Sequence, residues 1–312
     1  MGLYVLDDKN IKRRFFAKLD NAEAGSWASL IGTPISSNRA VENYKWLGAS
    51  PMMREWIGGR LLKRPRVESY DVPNLPFEAS FGIPIEDLDR DDTGMINARI
   101  DDLAVRTAQH WEKLQSDLIN VSESTVCYDG QFFIDTDHVS GDSGTQTNDF
   151  TTTEVPSSNV TTTTAMTGTE AANVIMEMIS RMLGFKDDQG EPINQNAKQF
   201  VAMASPGHAM GLWTALSAQF LTNGVTNPLL ASGFQVMPVI NPRLTLTTKV
   251  FVFRADGTIK PFINQSEQEV QVKTVGRDSE YAFDNRQIKV GVEARRNVGY
   301  GLWEHASMVV LT

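Results

Sequence analysis

The sequence contains one cysteine, Cys127, and only four histidines in 312 residues. A single cysteine excludes an internal disulfide framework and any structural zinc site with several cysteine ligands. No apolar run approaches the roughly 20 residues that a membrane-spanning helix needs, and the N-terminus lacks the apolar core of a signal peptide. We therefore expect a protein made in a reducing cytosol, with no membrane anchor and no membrane partner.

Basic residues are fewer than acidic ones, 29 compared with 38, so the net charge is −9. A general nucleic-acid-binding protein usually presents a basic field, so this class is disfavoured. Hydrophobic residues make up 41% of the chain, which is typical of a globular protein with a sizeable core.

Catalytic combinations are few because cysteine and histidine are scarce. Cys127 or Ser205 with a histidine could form a nucleophile and its base, but no nucleophile-elbow signature surrounds either residue. Asp135, Asp137 and His138 could ligate a metal, although their spacing matches no standard zinc signature. No glycine-rich loop follows a strand to cradle a phosphate. We predict no catalytic residue, no metal and no cofactor; a cysteine or serine hydrolase is the alternative from another class.

Residues 41–84 join large aromatic side chains, prolines and basic charge within one short stretch. Such a ribbon lacks nearby partners for its aromatic groups, so we expect it to bury them against neighbouring chains; a lid over an active site is the alternative. Alternation over Phe77–Phe81 predicts a strand. The ribbon residues that we assign to a subunit interface are Trp46, Trp56, Arg60, Lys63, Arg64 and Arg66.

An acidic segment follows this ribbon by some twenty residues. We predict that the basic ribbon of one subunit lies across the acidic segment of its neighbour, because complementary charge fixes the register of a head-to-tail contact. Solvated charge is the alternative interpretation. The acidic residues assigned to the interface are Glu86, Asp87, Asp89, Asp91 and Asp92.

The clearest period in the chain predicts a helix over about 94–119, roughly 37 Å long, which is long for a compact domain. His110 falls on its polar side and is expected to be solvated. The predicted apolar stripe is Ile96, Ile100, Leu103, Thr107, Trp111, Leu114 and Leu118.

Other segments give simpler patterns. Residues 1–40 show no sustained period and are rich in glycine, serine and proline at 25–38, so they predict an extended arm that does not pack, with a poorly ordered terminus as the alternative. Residues 139–168 predict a flexible excursion or a threonine-rich β ribbon. A helix is expected from Thr169 to Gly184, and another is expected to begin after Ser205, with the Ser205 side chain as its N-cap. The second helix is expected to be lined by Met210, Trp213, Leu216 and Phe220. The predicted strands are Phe200–Ala204, Gln235–Ile240, Lys249–Arg254, Ile259–Ile263, Glu269–Val275, Ile288–Arg295 and Met308–Leu311.

Several colinear stretches resemble the major head (capsid) subunit of Mu-like bacteriophages. Together they span roughly residues 40–312, whereas the central part is similar mostly in pattern. The matching stretches are Tyr44–Gly48, Arg54–Arg60, Phe77–Ile83, Cys127–Phe133, Lys260–Ile263, Phe283–Asn285 and Ala294–Trp303.

The resemblance implies an α+β, Hong Kong ninety-seven-like tailed-phage capsid fold. By analogy, residues 1–40 form an N-terminal arm and 41–84 an extended loop. Residues 85–165 and 259–312 form a peripheral domain with a long spine helix, and 166–258 an axial domain. Some members of this fold join subunits through a lysine of the extended loop. Lys63 is the candidate here, but no matching asparagine or glutamate signature appears, so we expect non-covalent assembly.

The function implied is that of a major capsid protein. It would self-assemble into hexamers and pentamers of an icosahedral head in the host cytoplasm and enclose double-stranded DNA without sequence-specific binding. A scaffolding protein, a portal and a head maturation protease are the implied partners during assembly. An encapsulin-like nanocompartment shell is the alternative within the structural class.

Overall fold

Two β-sheets and one long helix organise the chain. The computed structural model describes residues 8–47, 67–90, 94–154 and 159–312. The helices in these ranges are α1 (Asp8–Ala24), α2 (Ala28–Ile31), α3 (Ile85–Arg90), α4 (Met95–Asn120), α5 (Gly168–Leu183), α6 (Ala209–Ser217), α7 (Pro228–Ala231) and α8 (Glu280–Asn285). The strands are β1 (Gly32–Ser36), β2 (Val41–Leu47), β3 (Val67–Pro73), β4 (Leu75–Pro84), β5 (His138–Val139), β6 (Thr145–Gln146), β7 (Asp149–Thr151), β8 (Gln199–Ala204), β9 (Gln235–Ile240), β10 (Lys249–Arg254), β11 (Phe262–Val275), β12 (Gln287–Tyr300) and β13 (Ala306–Val310).

A five-stranded sheet in the order β7-β13-β10-β8-β9 carries the larger core. Its strands β8 and β10 are buried along almost their whole length, as expected from their continuous apolar sequence. Helix α5 packs against this sheet through a buried face that includes Ile175 and Met178. It begins with a capping box in which Thr167 and Glu170 bond reciprocally, and it ends at Gly184. The predictions of α5, β8, β9 and β10 are confirmed.

A four-stranded sheet in the order β1-β11-β12-β4 packs against α4. The predicted strand at Phe77–Phe81 lies in β4, and the buried-exposed alternation predicted for Ile288–Arg295 is observed in β12. The prediction of two separate strands, Ile259–Ile263 and Glu269–Val275, is wrong, because one continuous strand covers Phe262–Val275. Register shifts near Ser266 and Gln268 let a single strand, β11, continue along β12 through the intervening residues.

Helix α4 runs for 26 residues, about 39 Å, and confirms the predicted long helix. The first half of its predicted stripe, including Ile100 and Leu103, is buried. In the second half Trp111 is only partly buried, whereas Gln115 is fully buried. Gln115 Nε2 donates to the Ala28 carbonyl at 2.9 Å, which offsets the desolvation of its amide nitrogen. The buried face of α4 therefore departs from the predicted apolar stripe in its second half, where hydrogen bonds of Gln115 replace apolar packing.

The N-terminal region is packed, which corrects the prediction of an unpacked arm. Ile11, Phe15 and Leu19 recur at spacings of four in α1 and are buried against α4 and the four-stranded sheet. The guanidinium of Arg14 makes two bonds to the carboxylate of Asp101, at 2.7 and 2.8 Å. Farther on, β1 pairs in parallel with β11, so residues 32–36 belong to a sheet.

Part of the segment 139–168, for which a flexible excursion was one of two predictions, packs into the body of the subunit. Strand β7 pairs in parallel with β13, and Phe150 enters the larger core. Asn148 supports this packing, because its Nδ2 donates to the Phe133 carbonyl at 2.9 Å. None of the helices in the described part of the chain combines the length and apolar character that a membrane span requires.

Candidate assembly surfaces

Most of the predicted interface residues lie outside the described ranges. Glu86 and Asp87 are exposed on α3. The backbones of Trp46 and Asp89 lie in β2 and α3, but their side chains are not described. The residues outside the described ranges are Trp56, Arg60, Lys63, Arg64, Arg66, Asp91 and Asp92. The interface assignment therefore stays a prediction.

Strands β2 and β3 form an antiparallel pair on either side of residues 48–66, with Leu47 opposite Val67. Buried Gln265 of β11 ties both strands to the four-stranded sheet. The Tyr44 hydroxyl donates to its Oε1 at 2.6 Å, and its Nε2 donates to the Val72 carbonyl at 3.1 Å. Both ends of the basic and aromatic segment are thus attached to the body of the subunit.

Close packing at Gly299 of β12 adds to this attachment. A side chain there would collide with Val72, whose own side chain is buried. Beside it, the Tyr70 ring lies 6.3 Å from the ring of Tyr300. The β2–β3 pair can approach β12 this closely because residue 299 has no Cβ.

The described part of the acidic segment carries one ion pair within the chain. Glu86 Oε1 lies 2.9 Å from a guanidinium nitrogen of Arg286, and both side chains are more than half exposed. Such an exposed pair contributes little to folding. Asp87 is exposed one residue along, on a face where a second chain could reach it.

The cysteine candidate lies in a buried cluster. The Cys127 thiol donates to Asp129 Oδ1 at 3.0 Å, and Asp129 Oδ2 lies 2.7 Å from His138 Nδ1. Burial and the Asp129 carboxylate raise the pKa of the Cys127 thiol far above its usual range, so the thiolate is disfavoured. The His138 ring stacks on Trp303 at 3.9 Å. This cluster lacks the exposed, activated thiol that a nucleophile requires.

The fold does not bring the predicted metal ligands Asp135 and His138 together. Asp135 accepts backbone N–H bonds from Phe132 and Thr136, and it does not join His138. Within the described residues, the group with ligand atoms close enough to hold a metal is Cys127, Asp129 and His138, all within 4.8 Å. Asp129 Oδ2 and His138 Nδ1 already bond to each other there, whereas His138 Nε2 is buried without a hydrogen-bond partner among the described residues.

The serine candidate also lacks a free base. His208 is fully buried; its Nδ1 accepts from the Met166 N–H at 3.3 Å, and its Nε2 lies 2.8 Å from the Thr247 carbonyl. Both ring nitrogens serve backbone groups, so His208 is not available to activate Ser205. The expected side-chain cap is also absent, because the Ser205 side chain accepts no capping bond.

His110 corrects another expectation. It is half-buried between the Phe77 ring, at 4.3 Å, and Arg296, whose Nε donates to His110 Nδ1 at 3.0 Å. Burial and the Arg296 charge lower the pKa of His110 to about 4. The imidazole is therefore neutral at physiological pH and acts as an acceptor in the fold.

Sequence reasoning missed a buried acid near the cysteine cluster. The Tyr128 hydroxyl donates to Glu304 Oε2 at 2.7 Å, and burial raises the pKa of Glu304 to about 7. Glu304 precedes His305 in a 3₁₀ turn at the C-terminus. No spacing pattern links residues 128 and 304, so only the fold brings them together.

The residues predicted to line helix α6 differ from one another in burial. Gly211, Leu212 and Ala215 are buried, whereas Met210 and Trp213 are 79% and 56% exposed. A Cβ at Gly211 would run into the Met166 carbonyl, so the helix packs closely through its small residues. Met210 and Trp213 consequently face outward, whereas Leu216 is partly buried against the larger core.

Comparison with known proteins finds matches along most of the chain. Residues 7–167 and 231–310 match the family described as the Mu-like prophage major head subunit gpT. The chain is 32% identical over 120 residues to the Mu-like prophage FluMu major head subunit of Haemophilus influenzae, covering 38% of the chain and 39% of that protein. It is 28% identical over 116 residues to the major capsid protein of Escherichia phage Mu, covering 37% and 38% respectively. Each alignment thus spans less than two fifths of the relative.

The fold has counterparts among solved structures. The chain in the procapsid of bacteriophage JBD30 matches with a TM-score of 0.55 at 21% identity, covering 97% of this chain and 74% of that one. At this level of identity the likeness establishes a shared fold.

Proposed function

The chain belongs to the family of Mu-like prophage major head subunits and has the Hong Kong ninety-seven-like α+β fold of tailed-phage capsids. From this we propose that copies of it assemble into hexamers and pentamers of an icosahedral phage head. The observation that carries the proposal is the family match over residues 7–167 and 231–310, which includes the whole four-stranded sheet, four of the five strands of the other sheet and the spine helix α4.

A charged contact between neighbours is part of the proposal. The basic segment containing Arg60, Lys63 and Arg64 is attached at both ends through β2 and β3 and lies across the acidic segment of the next subunit. Attachment supports this role because a segment held at a defined place loses less freedom on binding. The two patches lie at different places on one chain, so the contact is head-to-tail and can close into rings.

The domain division is likewise proposed: an arm (1–40), an extended loop (41–84), a peripheral domain (85–165 and 259–312) and an axial domain (166–258). The proposed partners are further copies of this chain, a scaffolding protein, a portal and a head maturation protease, with assembly in the host cytoplasm. The net charge of −9 suits a shell that encloses DNA without binding it tightly.

A structural role without catalysis is the last part of the proposal. Its support is the state of the two nucleophile candidates, since the Cys127 thiol is buried and its pKa is raised, and His208 bonds to backbone groups. Replacing Cys127 with Ala is expected to leave assembly unchanged. Assembly is also expected to be non-covalent, so denaturing gels of shells should give one monomer band.

Charge reversal tests the proposed contact. We expect Arg60→Glu, Lys63→Glu and Arg64→Glu together to abolish capsomers, because like charges then face each other across the contact. The measurement is sedimentation velocity of the purified subunit with its scaffolding protein, with circular dichroism to establish that the subunit is folded.

A charge swap supplies the matched control. Adding Asp87→Lys, Asp91→Lys and Asp92→Lys to the reversed chain restores opposite charges and is expected to recover capsomers. Normal capsomers from the first variant, or no recovery in the second, would show that this charge pairing does not hold the subunits together.

A further inference from the structure

Four side chains that can lose a proton surround a single imidazole in the interior of the subunit. They are the Cys127 thiol, the Tyr128 hydroxyl and the carboxyl groups of Asp129 and Glu304, and the imidazole is that of His138. The side chains of Asp129 and His138 are 1% and 0% exposed. Buried charges in proteins are ordinarily paired or coordinate a metal. This cluster is rich in electron-pair donors and poor in positive charge.

Hydrogen bonds to Asp129 do not bring a full positive charge from a lysine or an arginine. Its Oδ1 accepts from the Cys127 thiol and from the Gln131 N–H, each at 3.0 Å. Its Oδ2 lies 2.7 Å from His138 Nδ1. Within the described residues, His138 is thus the only basic side chain that bonds to Asp129.

One ring nitrogen of His138 has no partner. Its Nε2 is buried without a hydrogen bond among the described residues, and the ring stacks on that of Trp303 at 3.9 Å. The Trp303 Nε1 is likewise buried without a partner there. A buried polar atom without a partner destabilises a fold, so it calls for an explanation. Two such atoms in stacked rings indicate that hydrogen bonds within the chain do not complete this part of the interior.

Three kinds of metal-ligating atom meet in the cluster. The Cys127 sulfur, a carboxylate oxygen of Asp129 and a ring nitrogen of His138 all lie within 4.8 Å of one another. A tetrahedral Zn²⁺ ion binds such atoms at about 2.0–2.3 Å, which places them about 3.3–3.7 Å from each other. The two bonded pairs, Sγ–Oδ1 and Oδ2–Nδ1, are now at 3.0 and 2.7 Å. The ligands therefore need to separate by only about 0.5–1 Å to admit the ion.

The local fold holds these ligands together, since all of them lie in the segment from Cys127 to His138. The Cys127 N–H donates to the Gln131 carbonyl at 2.8 Å and closes a tight turn. This turn sets Cys127 and Asp129 side by side, and strand β5 carries His138 to them. A site built from one segment needs no residue of another chain.

We propose that Cys127, Asp129 and His138 bind a divalent transition-metal ion, of which Zn²⁺ is the best fit, and that the ion stabilises the folded subunit. One sulfur, one oxygen and one nitrogen suit Zn²⁺, whereas Ca²⁺ and Mg²⁺ prefer oxygen ligands throughout. Three protein ligands leave the fourth tetrahedral position to water.

Charge and protons balance in this site. When the ion enters, the Cys127 thiol releases its proton to solvent, because a coordinating thiol is deprotonated. The neutral imidazole of His138 keeps its proton on the ring nitrogen that does not face the ion. The thiolate and the Asp129 carboxylate then compensate the two charges of the ion. The inference concerns the folded subunit and is independent of the proposed assembly, which Cys127→Ala is expected to leave unchanged.

Cobalt binding tests the site through its thiolate. Co²⁺ accepts the same ligands as Zn²⁺, and a thiolate ligand gives it an intense near-ultraviolet charge-transfer absorption. Because the chain has one cysteine, this absorption can come only from Cys127. We expect the chelator-treated, unassembled subunit to develop it with about one equivalent of Co²⁺ and to lose it when Zn²⁺ displaces the cobalt. Zn²⁺ should also raise the melting temperature, since it binds the folded state.

The unaltered chain alone can overturn the proposal. Absence of the absorption would do so, and so would a melting temperature that Zn²⁺ does not raise. Equally tight Co²⁺ binding by the urea-unfolded chain would show that the fold does not build the site. These measurements need no variant, so they decide the matter even where a substitution prevents folding.

Variants assign the ligands. Cys127→Ser is expected to remove the absorption, and Asp129→Asn and His138→Gln are each expected to weaken Co²⁺ binding at least about tenfold. Asp137→Asn is the matched control, because this exposed residue belongs to the ligand set expected from the sequence, and it should leave the affinity unchanged. Unchanged affinity in Asp129→Asn and His138→Gln would mean that Cys127 binds the ion without them, which overturns the three-ligand site.

Discussion

Helices α4 and α6 both carry an apolar stripe, but only one of the stripes lies in the core. Ile100 and Leu103 of α4 are buried between α1 and the four-stranded sheet. Met210 and Trp213 of α6 are exposed, and the small residues beside them are buried. Helical periodicity therefore identifies an apolar face without telling whether its own chain or another covers it.

The largest effect is expected on the α4 side of this comparison. Ile100→Ala should lower the free energy of unfolding of the unassembled subunit by about 3 kcal/mol, since it leaves a cavity in a fully buried site. Urea unfolding measures this change. Gln109→Ala, at an exposed position of the same helix, is the control and should change stability by less than about 0.5 kcal/mol. Equal losses of stability from Ile100→Ala and Gln109→Ala would contradict the assignment of Ile100 to the core of the subunit.

Packing through small residues explains why α6 turns its other face outward. Gly211→Ala places a methyl group against the Met166 carbonyl and should destabilise the unassembled subunit by about 1–2 kcal/mol, although alanine favours the helix. Ser217→Ala, at an exposed position of α6, is the comparison. An increase in melting temperature for Gly211→Ala would mean that the close approach is not required.

The pH dependence of stability tests the role of His110 on the flank of α4. The pKa of His110 is lowered to about 4, below its ordinary value of 6.5, so the unfolded chain takes up the proton first as pH falls. The stability that neutral His110 contributes is complete above pH 6.5 and is lost as pH falls toward 4. With the half-exposed site taken into account, we expect about 1 kcal/mol.

His110→Gln is the variant that isolates this contribution. It removes the titration but keeps an acceptor for Arg296, so its stability should fall less steeply between pH 6.5 and 4 than that of the unaltered chain. Other groups, including His305 with its lowered pKa, remain in both proteins and cancel in the comparison. Parallel pH profiles would contradict the assigned role of His110.

Local patterns predicted the elements whose signals are local. The glycine that ends α5, the alternation in β12 and the long period of α4 are all read within one segment. The packed N-terminal region was missed although Ile11, Phe15 and Leu19 carry a helical spacing, because the glycine and serine residues that follow them outweighed it.

The remaining features depend on distant parts of the chain. Gln115 is buried because Ala28 and Asn264 accept its hydrogen bonds, and Glu304 meets Tyr128 across 176 residues. Chain order alone does not predict these partners. Which face of α6 points outward depends on the close backbone contact at Gly211, and this contact cannot be predicted from the spacing of apolar residues.

A three-dimensional reconstruction by electron microscopy of particles assembled from this chain tests the account most directly. We expect closed shells in which the outward face of α6 is covered by another chain while Ile100 stays inside each subunit. Particles that do not close would contradict the assembly function. Closed shells with the outward face of α6 open to solvent would contradict the explanation given for the difference between the two helices.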